Sequence, residues 1–224
     1  MDAPQATRRR LFTWLGLFLA MFGTPLLLWG LHWDVGETAT LTAYLARELG
    51  VFLLLGLLLW LIRCGENRPF ASIGWHTRGM GRSALWGGLG TVLVYAAMVP
   101  CVGLAYLLHW KLGLQSPPRF TPPLWAMAIT VLRAGITEEV FYRGYAMERL
   151  ESLTGSRHAA LWLTIIPFSL FHFRQEPAGI LIAFAAALVL SVMYLKRRDL
   201  KANMLAHFIV DLVPNVLLPL FGLG

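Results

Sequence analysis

Charge is what this chain has least of. Only 14% of its 224 residues are Asp, Glu, Lys or Arg, against about 25% in an ordinary soluble domain. Hydrophobic residues make up 57%, and the mean hydropathy is +0.62. That balance points away from a soluble protein and towards a membrane. Cysteine is nearly missing: Cys64 and Cys101 stand far apart, with neither a CxxC nor a metal-ligand spacing. They exclude a disulfide framework or zinc knuckle and say nothing of compartment. Internal repeats and low-complexity tracts are also missing, and 224 residues leave no room for a helical membrane bundle plus a sizeable soluble domain.

What is there is seven apolar stretches: Leu11–Trp33, Leu41–Ile62, Ala84–Trp110, Pro123–Arg143, Ala159–Phe173, Ala178–Leu195 and Ala202–Leu223. A span needs roughly 20 mostly apolar residues. The fifth stretch is short, and the second carries Arg47 and Glu48. Loop charges order them. Arg8, Arg9 and Arg10 precede the first stretch, and a loop with Asp34 and Glu37 follows it. The next loop holds Arg63, Arg68, Arg78 and Arg82 against Glu66; Arg149 and Arg157 follow the fourth stretch, and Lys196, Arg197, Arg198 and Lys201 the sixth. By the positive-inside rule this alternation puts the N-terminus in the cytoplasm, with Lys111 and Arg119 as the exception. The same rule absorbs the net charge of +7, so nucleic acid is not expected as a partner.

The expected fold is therefore all-α, a polytopic membrane helical bundle of about seven transmembrane helices with a cytoplasmic N-terminus. Residues 1–224 are expected to form a single integral membrane domain, with three N-terminal spans over 11–110 and a functional core over 123–214. The RRR run before an apolar core has the look of a signal peptide, but no A-x-A site closes it, and it is read as a span. Trp33, Trp60 and Trp110 near span ends fit an aromatic belt. Gly87, Gly88 and Gly90 are placed to allow close helix packing.

Ionisable groups inside spans are functional candidates, because burying one at mid-bilayer costs several kcal/mol on most scales. Three motifs hold them: Glu138-Glu139-Val140-Phe141-Tyr142-Arg143, Phe168-Ser169-Leu170-Phe171-His172 and His207-Phe208-Ile209-Val210-Asp211. Each contains an i,i+4 pair, which shares one face of a helix. Glu139 and Arg143 can form an ion pair, while Glu138 points about 100° away, free to face something else. Phe168 can pack on the His172 ring, and Asp211 can reach a nitrogen of His207 and set its tautomer. Each motif alone also has a plain reading, as a snorkelling Arg at an interface, a helix-end His or a structural hydrogen bond. Arg174, Gln175 and Glu176 read as a solvated turn before Pro177.

EExxxR, then FxxxH one hairpin later, then HxxxD in a late span resembles the CPBP family, the CAAX prenyl endopeptidases and bacteriocin-processing (Abi) proteins, which are glutamic intramembrane proteases. EEVFYRG, FSLFH and HFIVD carry the resemblance, which covers roughly Pro123 to Pro214. It implies Glu138 as general base, His172 as its partner in activating a water, and His207 with Asp211 near the substrate carbonyl and its oxyanion. Glu139 and Arg143 would support the site. Asp211 departs from the family's Asn: an ionised carboxylate only accepts hydrogen bonds, so Asp211 is expected to orient His207 or to donate only if kept protonated.

Peptide hydrolysis needs an activated water, a proton acceptor and oxyanion stabilisation. The sequence has no HExxH, no GxSG and no GxGD, and no cofactor is expected. A metal held by Glu138, His172 and His207 stays open as an alternative. Gly155 lies 17 residues after Glu138 and 17 before His172, so a turn there would bring both to one depth. Against this, a full span over Ala178–Leu195 would push His172 outward while His207 stays six residues from Lys201. The three meet only if a helix is short or tilted or the turn at Arg174–Pro177 dips inward, lining a wet wedge. The expected function is an intramembrane endopeptidase acting on a membrane-associated peptide, prenylated CAAX-type or bacteriocin-type, in a bacterial inner membrane. The alternatives are a non-catalytic bacteriocin-immunity or scaffold protein of the same fold and a proton-coupled transporter. The substrate, its lipidation and the oligomeric state are not legible.

Overall fold

A computed structural model describes residues 3–30, 40–76, 79–113 and 120–222. Trp33, Asp34, Glu37, Arg78 and Arg119, which carried part of the loop-charge and aromatic-belt reading, lie outside the described residues.

The described residues form helices joined by loops and turns, with no strand among them. Helix α1 (Ala3–Gly30) and α2 (Leu41–Trp60) come first, α2 opening on Thr40, whose side chain accepts from Ala43 N. A π-turn, Leu61–Gly65, prolongs α2. Then come α3 (Met80–Leu107) and α4 (Leu124–Glu138). Helix α4 does not stop at the acid pair: a wide π-segment, Glu139–Met147, carries it into α5 (Glu148–Thr154). The chain reverses at Gly155, whose φ of 68° no β-carbon favours. Ser156 caps α6 (Arg157–Leu170) by accepting from Ala159 N. After the turn at Phe173–Gln175 follow α7 (Glu176–Arg197), α8 (Leu200–Leu212), a π-turn at Val213–Leu217 and the single turn α9 (Leu218–Leu220).

Five helices among the described residues are long and apolar enough to cross a membrane: Thr7–Gly30, Leu41–Gly65, Met80–Leu107, Phe173–Arg197 and Leu200–Leu220. The other two expected spans are helical but fall short of that measure for different reasons. Helix α6 has only 14 residues, and the α4–π–α5 rod carries Arg133, Glu138, Glu139 and Arg143.

The protein is an integral membrane helical bundle, and its polar side is inside. Leu11, Phe18, Leu53, Leu57, Leu85, Val92 and Val99 face outwards, as lipid permits. Every residue of the π-segment is buried, packed by α1, α6, α8 and the stretch before α3. Small residues allow this. A β-carbon on Gly16 would sit 2.1 Å from the Tyr145 hydroxyl, and one on Gly90 would sit 2.8 Å from Met193 Sδ. Gly87 likewise closes on Leu205, whereas Gly88 faces open space. Gly87 and Gly90 therefore let α7 and α8 approach α3, and Gly88 does not.

The charges expected in loops are also structural. Glu66 accepts from Arg149 Nη2 at 2.6 Å, from Tyr145 at 2.8 Å and from Thr13 at 2.8 Å, while Arg149 reaches Ser72. Burial raises the Glu66 carboxyl, but the Arg149 hydrogen bonds and charge, with Tyr145 and Thr13, outweigh it and hold it below its ordinary value. Arg149 is buried in this pair rather than lying free in a loop. Arg198, at φ 50°, pairs with Glu148 at 2.5 Å and with Glu151, tying the end of α7 to α5.

Candidate active site

The site is built on four elements. The junction of α4 with its π-segment presents Glu138 and Glu139, the end of α6 presents Phe168 and the turn after it His172, and α8 presents Asn203, His207 and Asp211. Helix α7 closes the wall with Ser191 and the carbonyls of Ala187 and Leu190. A π-segment at this point is in keeping with the frequent placement of such wide turns at functional sites.

Glu139 is the anchor, with no exposed surface. Its Oε1 accepts from Arg143 Nη1 at 2.8 Å and from His207 Nδ1 at 2.8 Å, and its Oε2 accepts from Asn203 Nδ2 at 3.1 Å. The Glu139–Arg143 pair expected from i,i+4 spacing is present. Arg143 is held in turn by Ser191 Oγ at 3.3 Å and by the Phe168 ring, 4.8 Å from its guanidinium carbon.

Glu138 faces the other way, 23% exposed at its side chain. Its Oε1 lies 3.6 Å from Arg133 Nη1, and its Oε2 lies 3.9 Å from His207 Nε2. Both distances suit ion pairing more than hydrogen bonding, which leaves the carboxylate free to bind a further donor.

His207 thus turns both nitrogens to carboxylates: Nδ1 to Glu139, Nε2 to Glu138 and to Asp211 Oδ2 at 3.4 Å. Asp211 does reach a ring nitrogen, as its spacing suggested, but the shortest contact on the ring is with Glu139. His172 is fixed differently. Its Nδ1 lies 2.9 Å from the Phe168 carbonyl, which can only accept, so Nδ1 carries the proton and the neutral ring keeps its lone pair on Nε2. The Phe168 ring packs on His172 at 4.9 Å, and Tyr142 stands edge-on to Phe168.

A half-open cavity of about 740 Å³ brings the motifs together. Glu138, His172, His207, Asp211 and Arg143 all line it, while Glu139 lies behind them. Tyr95, Met98, Val99 and Val102 of α3 and Ile182 and Ala186 of α7 supply an apolar wall. The conflict in depth between His172 and His207 is relieved because α6 ends early, at Leu170, and the turn after it lines the cavity. Gln175, read as part of a plain solvated turn, is on that lining.

Two sets of residues escaped the sequence reading. Asn203 donates to Glu139 and to the Leu190 carbonyl at 2.8 Å, and its Oδ1 is buried without a partner. Its only sequence signal is an amide four residues before His207. Arg133 donates from Nε to Glu48 Oε2 at 2.7 Å, and Glu48 also accepts from Arg47 at 2.5 Å. Arg47 and Glu48 looked like defects in a span, yet they are the far end of a charge chain that reaches Glu138. Among the described residues no three His, Cys, Asp or Glu side chains group so as to hold a metal ion, the trio Glu138, His172 and His207 included.

Comparison with known families matches residues 120–213 to the model described as type II CAAX prenyl endopeptidase Rce1-like. That segment contains all three motifs and coincides closely with the 123–214 stretch that carries the resemblance. No curated protein and no solved structure matches the chain.

Proposed function

We propose, from the match of residues 120–213 to the model described as type II CAAX prenyl endopeptidase Rce1-like, that Glu138 and His172 activate a water for peptide hydrolysis within the bundle. The family supports a CAAX-type intramembrane protease in general terms. The glutamic mechanism, the residues and the membrane are our reading. One observation carries it: Glu138 and His172 open on one cavity, each held by a neighbour that leaves an acceptor free.

In this reading a water donates to Glu138 while its oxygen attacks the scissile carbonyl carbon. The proton passes to the carboxylate, and the carbonyl π-electrons move to oxygen. His172 accepts a second water hydrogen at Nε2, which orients the attack. The oxyanion lies towards His207, which donates Nδ1–H to Glu139 and, in its imidazolium form, can donate Nε2–H to the oxyanion as well. Asp211, an acceptor beside that nitrogen, acts on His207 and does not donate to the oxyanion. Glu138 then returns its proton to the departing amine as the C–N bond breaks, and the carboxylate is restored. Arg133 stands 3.6 Å from Glu138, and Glu139 with Arg143 and Asn203 fixes the imidazole. No step passes through a metal.

The substrate is a membrane-associated peptide, and the apolar wall of α3 and α7 suits a segment delivered from lipid, here assigned to a bacterial inner membrane. The test is hydrolysis of membrane-presented peptides by purified protein. Glu138→Gln and His172→Ala should each lower the rate by roughly 10²–10⁴-fold. Should both variants keep full activity, catalysis by this pair is wrong. A non-catalytic immunity or scaffold role is then the better account.

A further inference from the structure

The mechanism leaves one large cavity unused. It has a volume of about 790 Å³ and opens where the start of α3 meets the end of α7 and the turn into α8. Trp75, Arg82, Trp86, Lys196, Arg197 and Asp199 shape it.

Its charge is one-sided. Among the described residues neither Arg82 nor Lys196 pairs with an acid. The Arg197 guanidinium lies 3.5 Å over the Trp86 ring, which orients it without neutralising it. The one acid, Asp199, is already engaged: it accepts from Ser83 Oγ at 2.6 Å and caps α8 through Ala202 N at 3.3 Å. Helix α3 starts here on Gly79 with no side-chain cap and no acid in its first turn, so its free N–H groups add to the positive field. Along α3 from the cavity, Leu85, Leu89 and Val92 are exposed, a continuous apolar path away from the cations.

We propose that this cavity binds the phosphate headgroup of an anionic glycerophospholipid, with the acyl chains lying on the exposed Leu85–Val92 side of α3. A free phosphate satisfies the cations but has no use for the apolar path, and the cavity is far larger than one phosphate. The Trp pair suits the headgroup level, where amphipathic rings collect. The bound lipid bridges α3 and α7 beside the N-cap of α8, and α3 and α7 also wall the candidate active site about 13 Å further along α3, counting nine residues from Trp86 to Tyr95.

The experiment titrates the purified full chain, in neutral detergent, with phosphatidylglycerol or phosphatidylcholine, read by native mass spectrometry and by thermal unfolding. Phosphatidylglycerol should stay bound and raise the melting temperature, and phosphatidylcholine should do neither. Near a membrane surface each cation contributes enough that Arg82→Gln/Lys196→Gln/Arg197→Gln should weaken binding on the order of a hundredfold, and Lys196→Gln alone about fivefold. Arg8→Gln/Arg9→Gln/Arg10→Gln should leave it unchanged. Equal retention of phosphatidylcholine overturns the proposal, as does undiminished binding by the triple variant of the cavity. Loss in the N-terminal variant instead would place the lipid elsewhere and overturn it too. Glycerol phosphate or inorganic phosphate matching the effect of the lipid at equal concentration would make this a soluble-anion site and refute the lipid. If the triple variant does not fold, Lys196→Gln, on an exposed side chain, decides alone.

Discussion

Arg143→Met asks how much the anchor of the site is worth. The substitution keeps most of the side-chain length and removes the charge that faces Glu139 at 2.8 Å. Removing one partner of a buried ion pair costs about 3–5 kcal/mol, because the other charge stays behind unpaired. Glu139 keeps its donors Asn203 and His207, so the lower end, about 3 kcal/mol, is expected. Glu139→Gln/Arg143→Met leaves no stranded charge and should be more stable than the sum of the two single changes implies, with a coupling of about 1–3 kcal/mol. Unfolding of the detergent-solubilised chain, followed by the fluorescence of its nine tryptophans, gives the full cycle. Strict additivity would refute the reasoning, as would a loss below about 1 kcal/mol for Arg143→Met, since neither leaves room for a buried pair.

Three further outcomes follow from the same geometry. Asn203→Ala removes a hydrogen bond to a charged group, worth about 1.5–3 kcal/mol, and should lower kcat roughly 10–100-fold with little change in KM. An unaltered kcat would show that Asn203 does not position Glu139 and His207. Glu66, held below its ordinary value of 4.5, contributes stability that is complete above that pH and lost as pH falls through the lowered folded value. Glu66→Gln should therefore flatten the acid side of a stability–pH profile, and an unchanged profile would count against the Arg149 pairing. Gly90→Leu should destabilise by about 1–3 kcal/mol or more through overpacking against Met193 and Ala206, while Gly88→Leu, over open space, should be near neutral. Similar unfolding midpoints for the two would contradict the close approach of α3 to α7 and α8.

What the sequence made legible was local. The Glu139–Arg143 pair, the Phe168–His172 packing and the turn at Gly155 each follow from spacings within one helix or one hairpin. Hydropathy likewise flagged α6 as short. The contacts that escaped are long-range. Arg133 meets Glu48 across 85 positions, Arg149 meets Glu66 across 83, and Asn203 meets Glu139 across 64. Scored singly, such groups look like interruptions of a span or topology signals, because hydropathy weighs each side chain against lipid and not against its partner. The π-segment was hidden for a related reason: widening the turn changes no residue's hydropathy, and Glu139 and Arg143 still meet at four residues' separation.

The brevity of α6 bears on which bonds this bundle can reach. At about 1.5 Å per residue its 14 residues cover roughly 21 Å, against a hydrocarbon core of about 30 Å. Lipid beside so short a wall must thin or tilt to meet it, a mismatch costing fractions of a kcal/mol per ångström. The same brevity sets His172 in the turn after the helix, on the lining of the cavity. A scissile bond therefore has less hydrocarbon to cross here than elsewhere around the protein. In the hydrolysis proposed above, selection of the bond would then be partly a measurement of length, with α6 as a ruler from the headgroups that favours substrates by how far their cleavable bond hangs below the surface.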